Sequence, residues 1–299
     1  MTADNARTLD FTQGMNRSVD LRQGIRHLDD LPAMPAIAQK LMTLDLDSEQ
    51  GERQMLLLIS QDPLISAKLI GLSNSPLLGV SRKVCSVKEA ALLLGLNRVK
   101  SVATGIAVMS LMSKPIGRFD AQEMWLHNLC VAFAMLPVVR AMPFKSRPQD
   151  DLIFLAGMLH DIGYLALAHL DVQRSDDLHT RIAIEPGRPS IEIERELLEV
   201  THDELGAELA KHWNLPEELV AAIRYHHTPD APGAAGLPLA RIIAVTEQLI
   251  PFAGLREFVR DRVTDEAWAA LGIDPEQAED ITLQAVEQAE QAIQFVSSL

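Results

Sequence analysis

An all-α, multi-helix fold is what this sequence predicts, and three observations carry the prediction. Helix-capping signals recur along the chain, apolar residues return every three or four positions, and two-residue alternation of β-branched and aromatic residues is almost absent. Asp62-Pro63 joins a capping carboxylate to a residue whose fixed φ suits a first helical turn. Leu64, Ala67, Lys68 and Leu72 then continue at helical spacing to about Ser73. Ser86-Val-Lys-Glu89 is a capping box and Gly95 a left-handed stop, bracketing a helix of about nine residues. Thr201-His-Asp-Glu204 opens a helix that runs to Trp213, with His202 in its first turn. Pro216, Glu217 and Glu218 start the next, which delivers His226 and His227 at its C-terminal end before Thr228-Pro229. Asp274-Pro275 begins a last amphipathic helix reaching nearly to Leu299, with Ile281, Ala285, Ala289 and Ile293 along one face. Two stretches read as loops: 171–190, poor in apolar residues, and 228–238, rich in Pro, Gly and Ala.

Composition narrows the function classes. A chain of 299 residues, 47% of them hydrophobic, buries a large core. Its 27 basic and 41 acidic residues leave a net charge of −14, which repels nucleic-acid phosphates and anionic lipid, so neither nucleic acid nor a membrane is an expected partner. Cys85 and Cys130 lie in apolar stretches without CxxC spacing, the pattern of buried thiols in a reducing compartment. Residues 1–20 are polar and mixed in charge, without the apolar segment of a secretory signal, and a cytoplasmic location is expected. The longest apolar runs, Val102 to Met112 and Cys130 to Val139, are shorter than the roughly 18 to 20 residues that span a bilayer. No internal repeat is present.

The sharpest chemical signal is Gly157-Met-Leu-His160-Asp161-Ile-Gly163, an imidazole and a carboxylate adjoining inside an otherwise apolar helix. A buried isolated carboxylate costs several kcal/mol, so Asp161 needs a donor or a cation. Glu123 and His127, four apart, share one helix face and precede that pair by about a helix and a loop. His202, His226 and His227 add imidazoles at helix ends, and Glu247 places a carboxylate inside the apolar run Ile242 to Ile250. Mixed imidazole and carboxylate ligands suit Fe, Mn, Zn or Ni, one ion or two, with Asp161 able to bridge a pair. A bland alternative stands beside this: each polar residue is satisfied by a neighbouring donor. Asn74 reads as a helix-end cap, and Met124, Trp125, Met135 and Met158 as core packing. No Walker motif, Gly-rich phosphate cradle or GxSxG elbow is found.

In order along the chain, Leu31-Pro-Ala-Met-Pro35, Asp62-Pro63, Leu72-Ser-Asn-Ser-Pro76, Val87 to Gly95 and Trp125-Leu-His127 resemble the HDOD domain. Gly157 to Gly163, His202-Asp-Glu-Leu-Gly206, Trp213-Asn-Leu-Pro216 and His226-His227 continue the likeness. The resemblance spans roughly residues 24–230 and leaves a short extension, 1–23, and C-terminal helices, 231–299, expected to pack on the body. It implies a helix bundle of HD type, related to the HD and HD-GYP metal-dependent phosphohydrolases. Transferred by position, the HD-GYP ligand pattern falls on Glu123, His127, His160, Asp161, His202, His226 and His227.

Three departures are legible. Tyr164 stands where HD-GYP enzymes place a Lys, which removes a phosphate-contacting cation. Thr246-Glu247 replaces Ala-Asp, which lengthens the last carboxylate by one methylene, and the GYP signature is missing after His226-His227. The resemblance therefore implies a bacterial signal-transduction module, non-catalytic and acting through a signalling protein partner or a small nucleotide, with a metal site retained. The alternative is a metal-dependent phosphodiesterase acting on cyclic dinucleotides. The helices after Leu237 leave homodimerisation open.

Overall fold

The computed structural model describes residues 21, 31–75, 83–112, 116–234, 236–251 and 262–297. The expected 1–23 extension lies outside these apart from Leu21, as do Pro76 and the last two residues. Fifteen α-helices fill the described residues, which contain no strand and a single isolated bridge between Ile116 and Phe119.

The first five helices are α1 (Ala36–Met42), α2 (Glu49–Gln61), α3 (Pro63–Ser73), α4 (Val87–Leu94) and α5 (Leu96–Met109). Their boundaries follow the local chemistry. The Asp62 carboxylate accepts from the amides of Leu64 and Ile65 at the start of α3. Ser86 accepts from Glu89 N–H at the start of α4, and Gly95, at φ 85°, ends it where an L side chain would be strained. Asn74 clasps the chain, its Oδ1 accepting from Val84 N–H at 2.7 Å and its Nδ2 donating to Val84 C=O at 2.8 Å. Its role is structural, as the sequence suggested.

The body is organised around α6 (Ala121–Ala141), which starts at an Asp120 cap. Helix α6 packs against α7 (Asp150–Leu159), α13 (Pro238–Leu249) and α15 (Ala278–Ser297). At 21 residues α6 is longer than the apolar run that the sequence marked, and by length and composition it is sufficient to cross a membrane. Within the protein, 78% of its apolar window is buried. Helix α15 buries Ala285, Ala289 and Ala292 against it, small side chains that let the two backbones approach.

On the other side of α7, α8 (Ile162–Leu170) packs on α9 (Val172–Ile184) and α11 (His202–His212). Helix α10 (Ser190–Leu198) packs on α9, and α12 (Glu217–Tyr225) on α11, α7 and α13. The short α14 (Asp265–Ala270) completes the set. The segment 171–190, expected as a loop, is mostly helix α9. Asp171 caps it through Arg174 N–H, and Leu178 is the apolar residue it buries fully. A helix lying on the surface needs only a narrow apolar stripe, which is why its sparse hydrophobicity misled. The 228–238 stretch is irregular around a 3-10 turn at Pro232–Ala234, as expected, with residue 235 outside the described set. Two remote motifs meet where Trp213 Nε1 donates to Pro32 C=O at 2.9 Å.

Candidate metal centre

The His160-Asp161 pair does not lie inside one helix. Helix α7 ends at Leu159 and α8 begins at Ile162, the two axes bent by 41°, and the pair occupies the corner between them. The break at this point sets His160 against His127 of α6 and Glu247 of α13, and Asp161 within 3.4 Å of His202 on α11. Close packing makes the corner tight: a Cβ on Gly163 would fall 1.8 Å from His202 C=O, and one on Gly157 2.5 Å from Ala132 Cα. His127 comes from the second turn of α6, His202 from the first residue of α11, His226 and His227 from the end of α12, and Glu247 from the last turn of α13.

Asp161, 1% exposed, stands between two groups of side chains. Its Oδ2 lies 3.2 Å from His160 Nε2 and 3.4 Å from His127 Nε2. Glu247 Oε1 closes that group, 3.2 Å from His160 Nε2 and 3.7 Å from His127 Nε2. On the opposite side, Asp161 Oδ1 lies 3.4 Å from His202 Nε2 and 3.6 Å from His226 Nε2. His227 Nε2 completes the second group at 3.1 Å from His202 Nε2. Despite this proximity neither Asp161 oxygen has a hydrogen-bond partner of good geometry among the described residues.

The outer edges of three of the imidazoles meet oxygen acceptors. His160 Nδ1 is 2.8 Å from Gly157 C=O, His226 Nδ1 is 2.8 Å from Ile223 C=O, and His202 Nδ1 is 2.8 Å from Glu194 Oε1. Oxygen acceptors there call for a proton on Nδ1, which leaves the Nε2 lone pairs pointing inward. In the neutral rings of His160, His202 and His226 the Nε2 nitrogens thus face Asp161 and one another, an arrangement that a cation would satisfy by replacing the ring protons. Three overlapping sets have ligand atoms within 4.8 Å of one another: His127, His160 and Asp161; Asp161, His226 and Glu247; His202, His226 and His227. This donor set, imidazole nitrogen with carboxylate oxygen, is one that could hold a divalent metal ion.

Electrostatics agree. Burial pushes the carboxyls of Asp161 and Glu247 up, yet the neighbouring imidazoles outweigh it and hold both well below the usual carboxylate range. For His160 and His202 burial works against charge, but Asp161, Glu247 and Glu194 raise both rings well above the ordinary imidazole value, so protons compete for this site. His226, buried and beside His227, is pushed down to about 3.

Seven of the eight candidate ligands read from the sequence meet here. Glu247, one methylene longer than the Asp of the HD-GYP pattern, reaches His160 and His127. Glu123 does not join them: it is exposed in the first turn of α6 and belongs to none of the three sets. Four residues share a helix face but are separated by about 6 Å along the axis, which leaves Glu123 nearer the rim than His127. Sequence reasoning missed Glu194, fully buried against His202. Ser190, Ile193, Glu194 and Leu198 form the buried stripe of α10, and an acid in such a stripe was the signal available.

A cavity of about 550 Å³ opens beside the cluster, lined by His127, His226, His227 and Glu247 and, on its outer wall, Arg241 and Gln248. Arg241 is paired with Asp230 across its mouth. Tyr164, 1% exposed, is not among the lining residues.

An all-α bundle that gathers a His, a His-Asp pair and a late carboxylate at one corner agrees with the helix bundle that the resemblance to the HDOD domain implied. Residues 31–229 match the HDOD domain, and the chain belongs to that family. An uncharacterised protein of Treponema pallidum (strain Nichols) is 26% identical over 229 residues, which cover 75% of this chain and 43% of that protein. Among solved structures, a Marinobacter aquaeolei VT8 protein provisionally described as acting in signal transduction superposes with a TM-score of 0.75 at 24% identity, over 93% of this chain and 64% of that one. An HDOD domain protein of unknown function from Geobacter sulfurreducens gives 0.69 at 21%, over 93% and 92%. The chain thus spans less than two thirds of the length of the first two.

Proposed function

We propose that this HDOD domain protein is a cytoplasmic regulatory module of bacterial signal transduction that recognises a phosphorylated small nucleotide at a two-ion metal centre. The observation that supports this most is the Asp161 carboxylate, buried between two sets of inward-turned imidazoles with neither oxygen hydrogen-bonded. His127, His160, Glu247 and Asp161 would hold one ion; Asp161, His202, His226 and His227 the other. Bound there, divalent ions supply Lewis-acid contacts to phosphoryl oxygens and acidify water. The protein's own part is to fix the ligand atoms, to exclude bulk water from the buried side of Asp161, and to offer Arg241 from the cavity wall as a bidentate phosphate contact once Asp230 is displaced.

Calorimetric titration of metal-replete protein with cyclic dinucleotides and nucleoside phosphates tests this reading. Saturable binding abolished by chelation supports it, and absence of any metal-dependent binding across that panel contradicts it. A second reading, a metal-dependent phosphodiesterase acting on the same ligand, is favoured by the cavity opening directly on His127 and Glu247, which would hold an ion able to acidify water. Turnover lost in Asp161→Asn would select the enzyme; binding without turnover selects the regulatory module.

A further inference from the structure

Beneath His202 lies an assembly that the ligand pattern does not require. Glu194, with no solvent exposure, receives three donors: His202 Nδ1–H on Oε1 at 2.8 Å, Tyr164 O–H on the same oxygen at 2.9 Å, and the His202 backbone N–H on Oε2 at 2.8 Å. The Tyr164 ring lies flat against the His202 imidazole, with centroids 4.3 Å apart and planes 19° from parallel. His202 is therefore held at its edge by a carboxylate and on its face by an aromatic ring. Its remaining nitrogen, Nε2, is directed at Asp161 and at His226 Nε2, 3.2 Å away. A buried carboxylate is costly unless its lone pairs are engaged, and these three donors occupy three of its roughly four acceptor sites, so the arrangement is rigid.

We propose that Glu194 and Tyr164 are positioning residues that lock His202 with its Nε2 lone pair facing the second ion site, and that Tyr164 serves this support instead of contacting ligand. The position where the resemblance places a lysine is thus used beneath the centre, out of the cavity. This rests on reading the cluster as a metal centre, but the orientation of His202 can be read without metal. Carboxylates behind ligating imidazoles fix the ring and raise its basicity, and their loss typically weakens binding by about 10- to 100-fold.

Two measurements on the full chain test it. In ¹H–¹⁵N spectra of metal-free, histidine-labelled protein, His202 is expected to carry a hydrogen-bonded proton on Nδ1, retained in Tyr164→Phe and displaced in Glu194→Gln. A bare Nδ1 in the wild type overturns the proposal whether or not any ion binds, and needs no variant to fold. In cobalt(II) titrations, Glu194→Gln is expected to weaken one of two ions by about 10- to 100-fold and leave the other unchanged. Unchanged binding of both, or equal loss of both, overturns the positioning role. A wild type that binds no cobalt at all contradicts the metal-centre reading itself, and the spectra then decide the His202 lock separately.

Discussion

Glu247 places a carboxylate oxygen 3.2 Å from Nε2 of His160, although one residue comes from the last turn of α13 and the other from the corner between α7 and α8. The contact means that the Thr246-Glu247 variation keeps a carboxylate beside His160 despite its extra methylene. Glu247→Gln keeps the volume and replaces a charged oxygen by a neutral amide. It is expected to weaken the ion held with His127 and His160 by at least about 10-fold, while the second ion is retained. Competition against a chelator of known affinity reads both values, and an unchanged first affinity would remove Glu247 from the site.

Metal affinity is expected to fall with acid. His160 and His202 hold protons more tightly than free imidazole in the metal-free site, and each must lose its proton before Nε2 can ligate. Affinity therefore rises with pH, and proton competition begins above the imidazole reference of ~6.5, where the raised His160 and His202 already take up protons, and deepens below it. Equilibrium dialysis across this range checks the slope, and full occupancy persisting at about pH 4.5 is incompatible with imidazole ligation.

Gly163→Ala is expected to be destabilising by about 1–3 kcal/mol, since a methyl group there meets the His202 carbonyl and forces α8 away from α11. Thermal melting measures the cost. The same variant should lose ions from the His202 side first, because that side depends on the α8–α11 approach.

Asn74→Ala is expected to cost about 2 kcal/mol, because the Val84 N–H and C=O, at a residue 1% exposed, lose their partners. Metal content should be untouched. A variant that melts normally would show that the clasp contributes little; one that loses metal would show that Asn74 acts on the site as well.

Much of the architecture was legible because its signals are local. Asp62, Ser86 and Thr201 cap helices where the sequence placed them, since capping is decided within four residues. Helix α9 was not legible: a surface helix with one fully buried apolar side chain has the composition of a loop. The break at His160-Asp161 was hidden for the opposite reason, since Leu155 to Leu167 is apolar on all sides and its periodicity carries no mark of a corner. Ligand identity was readable from residue type and order, but depth was not. Glu123 and His127 look equivalent in sequence and differ in the structure by one helical turn and by solvent. Glu194 was missed because its role exists only in partnership with His202 and Tyr164, and nothing in the sequence announces that meeting.

The central claim is that the inward-turned imidazoles around Asp161 form a metal centre. Elemental analysis of the purified protein beside its Asp161→Asn variant tests it most directly. The account predicts up to two equivalents of Fe, Mn, Zn or Ni per chain in the wild type, with most of it lost in the variant at unchanged helicity. A folded wild type free of transition metal, and unable to take it up on incubation with each of the four ions, would contradict it.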